Sequence, residues 1–198
     1  MESIKPTIYL IPRWAGTIHS DWYDWLHTVI KTKYQIEIIR LEMPNWDQPD
    51  INESIVYMNE HVKDIDSQTY FIGHSVGCQA VLRFLNQQLK SKKNLHIGGF
   101  LFVAGWFTVD NPWSTLKPWM DTSGINLSLI REQTNFRQVV LSDNDPFTAN
   151  FNLNKSLWES MLNAKTNIYN NRQHFNRLIE EDILAEVEKM IFHSKANK

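Results

Sequence analysis

Residues 69–77 read Thr-Tyr-Phe-Ile-Gly-His-Ser-Val-Gly, and they join an apolar run to a helical pattern that continues to about Leu89. The end of this stretch has the form Gly-x-Ser-x-Gly, in which a strand turns sharply into a helix. Glycine lacks the Cβ atom that would clash in so tight a turn, and the start of the helix favours negative charge. Ser75 is therefore a candidate nucleophile. The alternative interpretation is an ordinary strand-to-helix turn.

A carboxylate and then a histidine should follow this serine along the chain if the fold is that of an α/β-hydrolase. Two histidines lie beyond residue 145, His174 and His193. His174 follows the strand-like segment 166–169 and precedes a helix predicted to begin near Phe175, so we expect it in a loop at the carboxyl end of a strand. His193 is predicted to follow the last helix, where chain ends fray. His174 is the better candidate base.

Two aspartates compete for the role of the acid, since both follow the buried strand predicted over 136–141. Pro146 holds Asp145 out of helical geometry, which suits a fixed carboxylate in a loop. Asp143 fits the simpler interpretation of a turn residue that binds its own backbone. The residues favour Asp145 and leave Asp143 as the alternative.

The predicted chemistry is acyl transfer. His174 removes the proton of Ser75 as the hydroxyl attacks a carbonyl, and the aspartate orients the imidazole. The resulting oxyanion needs at least two backbone donors, and the N–H of Val76 should be one of them. Trp14, in the exit of the first predicted strand, is the candidate for the second. A plain polar turn is the alternative for that stretch.

Strand and helix patterns alternate along the chain, which predicts a parallel sheet with helices on both faces. The strands are predicted near 7–12, 35–41, 69–73, 97–104, 136–142 and 165–170, and the helices near 20–32, 51–64, 76–90, 154–163 and 176–192. We expect residues 1–198 to form a single domain, since its length and 42% apolar content suit one core.

These residues together resemble the small α/β-hydrolases of the retinoblastoma-binding protein 9 and YdeN type, over nearly the whole chain. The resemblance rests on Asp21-Trp22-Tyr23-Asp24-Trp25-Leu26, Met43-Pro44-Asn45, Gly73-His74-Ser75-Val76-Gly77-Cys78, Asp145-Pro146-Phe147 and His174-Phe175. It implies an α/β-hydrolase fold, a three-layer sandwich with a mainly parallel sheet of about six strands. It also implies a triad of Ser75, Asp145 and His174, which selects Asp145, and neither a metal nor an organic cofactor.

Two positions depart from that family, whose members often have glycine in the first oxyanion loop and before the catalytic histidine. This chain has Arg13 in the first place and Asn171-Arg172-Gln173 in the second. Asn171 tolerates the left-handed backbone region, whereas Arg172 and Gln173 do so only at a cost. These departures support an alternative function, a catalytically weak protein-binding module.

The segment 105–130 is a candidate cap, because a loop this long within a compact domain is usually functional. Its aromatic side chains could wall an acyl pocket, with packing on the core as the alternative. The tentative pocket residues are Trp106, Phe107, Trp113 and Trp119.

Composition limits the partners. Twenty basic and 22 acidic residues give a net charge of −2 and no general reason to expect nucleic-acid or acidic-lipid binding. The longest apolar run, Ile97 to Phe107, is shorter than the roughly 20 residues of a membrane-spanning helix. The lone cysteine, Cys78, is expected to be buried, and a cytoplasmic location is the default. The sequence therefore predicts a serine hydrolase acting on a small or medium ester, thioester or amide with an apolar acyl part.

Overall fold

The computed structural model describes residues 5–196. Its six strands form one sheet in the order β2-β1-β3-β4-β5-β6, and every neighbouring pair is parallel. The strands are β1 (Thr7–Ile11), β2 (Ile38–Arg40), β3 (Thr69–His74), β4 (Ile97–Val103), β5 (Thr134–Ser142) and β6 (Lys165–Tyr169). The helices are α1 (Tyr23–Tyr34), α2 (Ile51–His61), α3 (Val76–Ser91), α4 (Lys117–Met120), α5 (Leu127–Gln133), α6 (Phe151–Leu162) and α7 (Glu181–Ala196). The predicted parallel sheet is confirmed.

Helices cover both faces of the sheet. Because successive side chains of a strand point to opposite faces, neighbouring residues of one strand pack against different helices. Phe71 packs with residues of α2, α3, α5 and α6 on one face. Its neighbours Tyr70 and Ile72 pack with α1 and α7 on the other. All residues of β3 and β4 are buried, as expected for the central strands of a doubly covered sheet.

The strand register brings the segments that carry the candidate site to one edge. Ile11 of β1 lies beside Gly73 of β3, and His74 lies beside Val103 of β4. The carboxyl ends of these three strands therefore meet. Ser142 of β5 lies beside Tyr169 of β6, so the loops after these two strands are also neighbours.

The last helix differs from its prediction. It begins at Glu181 rather than near residue 176, and it continues to Ala196, so His193 lies within it rather than after it. Phe175, near which the helix is predicted to begin, has a positive φ of 54° that is incompatible with a helix, and its side chain is buried. Residues 175–180 form an irregular loop after His174. Within residues 5–196, no helix is long and apolar enough to cross a membrane.

The segment 105–130 contains two helices that the sequence patterns do not predict, α4 and the start of α5. Arg83 of α3 holds α4, since its guanidinium donates to the carbonyls of Pro118, Trp119 and Asp121 at 3.2, 3.0 and 2.7 Å. The segment is thus tied to α3, the helix that directly follows Ser75.

Candidate active site

Ser75 lies between β3 and α3, in a turn with φ 54° and ψ −117°. The chain can turn there because Gly77 packs against the first strand: a Cβ atom on Gly77 would lie 2.4 Å from the carbonyl oxygen of Ile11. A Cβ atom on Gly73 would lie 2.8 Å from the backbone of Cys78. The turn is held by a 2.8 Å hydrogen bond from Ser75 N–H to the Val103 carbonyl. Both glycines are therefore required by close packing.

The loops after β5 and β6 bring a histidine and a carboxylate together. His174 Nδ1 lies 2.8 Å from Asp145 Oδ2, and both side chains are buried. Asp145 Oδ1 accepts a second hydrogen bond, 2.9 Å long, from the N–H of Phe147. Because a carboxylate only accepts, Nδ1 carries a hydrogen and Nε2 is left to act as a base. Asp143 lies elsewhere, where its Oδ1 accepts from the N–H of Asn171 at 2.8 Å.

Ser75 and His174 line the same cavity, which has a volume of about 270 Å³. The indole N–H of Trp106 lies 3.4 Å from Ser75 Oγ and points a donor at the hydroxyl. The apolar walls are Trp14, Trp106, Val109, Trp113, Leu116 and Phe147. The ring of Phe147 also packs edge-on against His174 at 4.8 Å between centroids. The site thus combines a small polar centre with an apolar cavity.

Two of the four aromatic residues predicted for the pocket line this cavity, namely Trp106 and Trp113. The prediction is wrong for Phe107 and Trp119, which are buried in the core. Phe107 packs on Trp158 at 4.3 Å between centroids. The indole N–H of Trp119 donates to the Pro49 carbonyl at 3.0 Å, which fixes its ring away from the cavity.

The two residues whose backbone N–H groups are predicted to form an oxyanion hole, Val76 and Trp14, both line the cavity. Val76 is the first residue of α3, and its N–H has no acceptor within the helix. The hydrogen bonds within residues 5–196 leave the N–H of Trp14 without an acceptor, whereas that of Arg13 donates to the hydroxyl of Tyr23 at 3.1 Å. Within residues 5–196, two residues that line the cavity together with Ser75 thus carry an N–H group without an acceptor.

Arg13, a departure from the family pattern, folds its side chain along the rim of the cavity. Its Nε lies 2.7 Å from Asp21 Oδ2, and a second nitrogen donates to the carbonyl of Trp14 at 3.0 Å. The guanidinium is therefore held by its own neighbours.

The residues before His174 form a strained loop. Asn171 adopts the left-handed region with φ 57°, as the sequence indicates, and Gln173 does so as well with φ 51°. The side chains of residues 142–144 accept hydrogen bonds of 2.8–3.0 Å from each of the three N–H groups of residues 171–173. These bonds offset the strain at Gln173.

Cys78 lies beneath the serine, fully buried, with its thiol 3.2 Å from the Gly73 carbonyl. Burial raises the pKa of this thiol well above its usual value, which leaves it protonated and unreactive. Residues 5–196 contain no cluster of three or more His, Cys, Asp or Glu side chains that could hold a metal ion.

Sequence reasoning missed several residues of the site. Val109, Leu116, Phe147 and Asn176 line the cavity but are not among the predicted pocket residues, although Val109 and Leu116 lie in the candidate cap and Phe147 lies in a motif of the resemblance. It also missed His74, which lies within the motif itself and is buried between His174 and α1. Its place next to the serine was the available signal.

Known proteins are similar to this chain over most of its length. YdeN of Bacillus subtilis (strain 168) is 26% identical over 176 residues, which cover 88% of this chain and 87% of YdeN. The crystal structure of the B. subtilis ydeN gene product matches with a TM-score of 0.84 and 21% identity, over 94% of this chain and 98% of that one.

Two more distant structures share the α/β-hydrolase fold. The type II thioesterase BorB from the borrelidin biosynthetic cluster has a TM-score of 0.63 at 14% identity, covering 94% of this chain and 93% of BorB. The carboxylesterase CesB of B. subtilis has a TM-score of 0.59 at 9% identity, covering 95% and 84%. The family model described as "Serine hydrolase" matches residues 8–181, and the chain therefore belongs to the serine hydrolase family.

Proposed function

We propose that this protein hydrolyses a small or medium ester, thioester or amide through Ser75, His174 and Asp145. One observation carries the proposal: the histidine bound to Asp145 lines the same apolar cavity as the serine of the strand–helix turn. In this interpretation the turn is a nucleophile elbow and the three residues are a catalytic triad.

The proposed reaction has two halves. Ser75 Oγ attacks the substrate carbonyl while His174 Nε2 takes the hydroxyl proton, and the N–H groups of Val76 and Trp14 bind the oxyanion. His174 then gives this proton to the departing alcohol, thiol or amine, which leaves an acyl-enzyme on Ser75. A water molecule, deprotonated by the same Nε2, then attacks that ester; the bond from the acyl carbon to Ser75 Oγ breaks, the acid is released, and Nε2 returns its proton to Ser75 Oγ. Asp145 keeps the hydrogen of the imidazole on Nδ1 throughout.

The cavity supports a neutral, apolar acyl group as the substrate part it binds. Its walls are aromatic and aliphatic, and its volume of about 270 Å³ is just below the roughly 300–1,000 Å³ of small-molecule sites. The charged group at its rim, Arg13, is already paired with Asp21. The names of the carboxylesterase and thioesterase that share the fold support ester and thioester substrates. The cytoplasmic location stays a prediction.

A fluorophosphonate probe tests the nucleophile. We expect labelling of the folded wild-type protein at neutral pH, its loss in Ser75→Ala, and full labelling of Ser91→Ala, whose exposed serine at the end of α3 serves as the matched control. If folded wild-type protein is not labelled, the proposal fails and the protein-binding alternative is favoured.

The substrate class is tested with p-nitrophenyl esters of graded acyl length and with aminoacyl amides. We expect short apolar esters to be hydrolysed and His174→Ala to lose most of the rate, since it removes the only proposed base. Near-wild-type turnover by that variant would exclude His174 from the mechanism.

A further inference from the structure

His74 forms a buried link between the first helix and the loop that carries His174. Its Nδ1 lies 2.7 Å from the hydroxyl of Tyr23, and its Nε2 lies 2.8 Å from the backbone carbonyl of His174. His74 and Tyr23 are both fully buried. The Tyr23 hydroxyl in turn receives the N–H of Arg13 at 3.1 Å. One continuous chain of hydrogen bonds therefore joins the first oxyanion loop to the candidate base.

The direction of every bond in this chain is determined. The carbonyl of His174 can only accept, so His74 Nε2 carries a hydrogen. Burial holds the pKa of His74 well below its usual value, so the ring is neutral and its Nδ1 must accept. The Tyr23 hydroxyl thus donates to Nδ1 and accepts from Arg13. None of these hydrogen bonds can exchange its donor and acceptor without leaving a buried polar atom unpaired.

The residues beside Tyr23 hold the same loop. The indole N–H of Trp22 donates to the carbonyl of Phe175 at 2.9 Å. The carboxylate of Asp21 accepts from the side chain of Asn176 at 3.2 Å, in addition to its ion pair with Arg13. Residues 21, 22 and 23 therefore bind to residues 176, 175 and 174 in turn, with His74 as the bridge at the last position.

This loop needs external support because no regular structure follows His174. Phe175 has a φ of 54°, Gln173 a φ of 51°, and α7 begins only at Glu181. We propose that Tyr23 and His74 are positioning residues that set the place of His174 relative to the backbone donors of residues 13–14. This inference rests on the proposed function, in which His174 is the base and the N–H of Trp14 binds the oxyanion.

Tyr23→Phe tests the link by removing one oxygen atom. We expect kcat to fall about ten-fold while KM stays within about three-fold, since displaced catalytic groups slow the chemical step and the apolar cavity walls are untouched. Tyr9→Phe is the matched control. Its ring is also buried, and its hydroxyl also accepts a backbone N–H, that of Lys63 at 3.3 Å, but on a part of the chain outside the site. Tyr9→Phe should keep kcat within about two-fold.

Two substitutions at His74 separate its two bonds. A glutamine amide can reach the His174 carbonyl in place of Nε2, whereas an asparagine can accept from Tyr23 but is too short to reach that carbonyl. We therefore expect His74→Gln to lose about ten-fold in kcat and His74→Asn about 100-fold, because a shift of about 1 Å costs that much. Melting temperatures measured alongside show whether the rates merely follow stability.

Equal kcat values for Tyr23→Phe and Tyr9→Phe, or wild-type kcat in His74→Asn, would overturn the inference. If the His74 variants do not fold, the comparison of Tyr23→Phe with Tyr9→Phe decides alone.

A wild-type protein without turnover and without labelling at Ser75 would refute the proposed function instead. The link is then judged by the Nδ1–H resonance of ¹⁵N-labelled His174, which should shift in Tyr23→Phe and stay unchanged in Tyr9→Phe. An unshifted resonance in Tyr23→Phe would refute the link.

Discussion

Replacing Asp145 by asparagine changes one atom of the candidate site, and the structure determines which way the new amide must face. The N–H of Phe147 donates to Oδ1 and therefore requires an oxygen there. The amide nitrogen is then left at the position of Oδ2, 2.8 Å from His174 Nδ1. Since this nitrogen donates, Nδ1 must accept, and the hydrogen of the imidazole moves to Nε2. The ring can no longer take the proton of Ser75.

The expected loss in kcat is about 10⁴-fold, the size of effect that the wrong histidine tautomer produces in a serine protease. It corresponds to about 5.4 kcal/mol of transition-state stabilisation, since each factor of ten is about 1.36 kcal/mol. The free energy of unfolding should change little, because the side chain of residue 145 still makes two hydrogen bonds, one to Phe147 and one to His174. The melting temperature should therefore stay within about 3 °C of the wild type.

The assay is hydrolysis of a short p-nitrophenyl ester at neutral pH, and Asp143→Asn is the matched control. Within residues 5–196, the carboxylate of Asp143 accepts one hydrogen bond, at Oδ1 from the N–H of Asn171. Asparagine can accept the same bond, so the kcat of Asp143→Asn should stay within about two-fold. Asp145→Asn retaining more than about a tenth of the wild-type kcat would refute the tautomer argument. A large loss in Asp143→Asn alone would mean that the wrong carboxylate has been chosen.

Three further predictions concern groups around the site. Arg83→Met leaves the carbonyls that bind the guanidinium unpaired, so calorimetry should show a Tm lower by about 4–8 °C. Arg83→Lys should recover part of this loss. An unchanged Tm in Arg83→Met would contradict the prediction. Cys78 should resist thiol reagents until the protein unfolds, because burial raises its pKa; rapid reaction of folded protein would refute that. Both carboxylate oxygens of Glu180 are buried without hydrogen-bond partners within residues 5–196, and burial raises its pKa. The folded state then binds this proton more tightly than the unfolded state, so stability falls as pH rises above the ordinary carboxyl pKa. Glu180→Gln should therefore melt higher than the wild type at pH about 7.5, with the difference closing near pH about 4; a constant difference would rule this out.

The sequence predicts the strand–turn–helix at Ser75 and the loops of Asp145 and His174 because each depends on a short local pattern. Each assignment depends on features only a few residues away: the glycines two residues either side of Ser75, the proline after Asp145 and the strand before His174. The parallel sheet follows equally from the alternation of patterns. The carboxyl ends of the strands meet as parallel pairing requires.

Local patterns fail where distant contacts decide the outcome. Phe107 and Trp119 carry no periodicity that distinguishes a cavity wall from the core, and their positions depend on contacts with Trp158 and with the carbonyl of Pro49. The loop after His174 has helix-like residues, but Phe175 is buried in a left-handed conformation that excludes it from a helix, and α7 begins only at Glu181. His74 bonds to partners 51 and 100 residues away, so its role cannot be read from the motif that contains it.

The two departures from the family pattern, Arg13 and the residues before His174, have the same structural explanation. Glycine would give both loops freedom, and this chain instead restrains them with side-chain hydrogen bonds. Asp21 binds the Arg13 guanidinium, and the side chains of residues 142–144 bind the backbone of residues 171–173. Arg13 pairs with a carboxylate, and the hydrogen bonds among residues 5–196 leave the N–H of Trp14 without an acceptor, so the first loop still carries a donor. The structural reason for expecting a weakened enzyme is thereby removed, and the protein-binding alternative loses the argument from these loops.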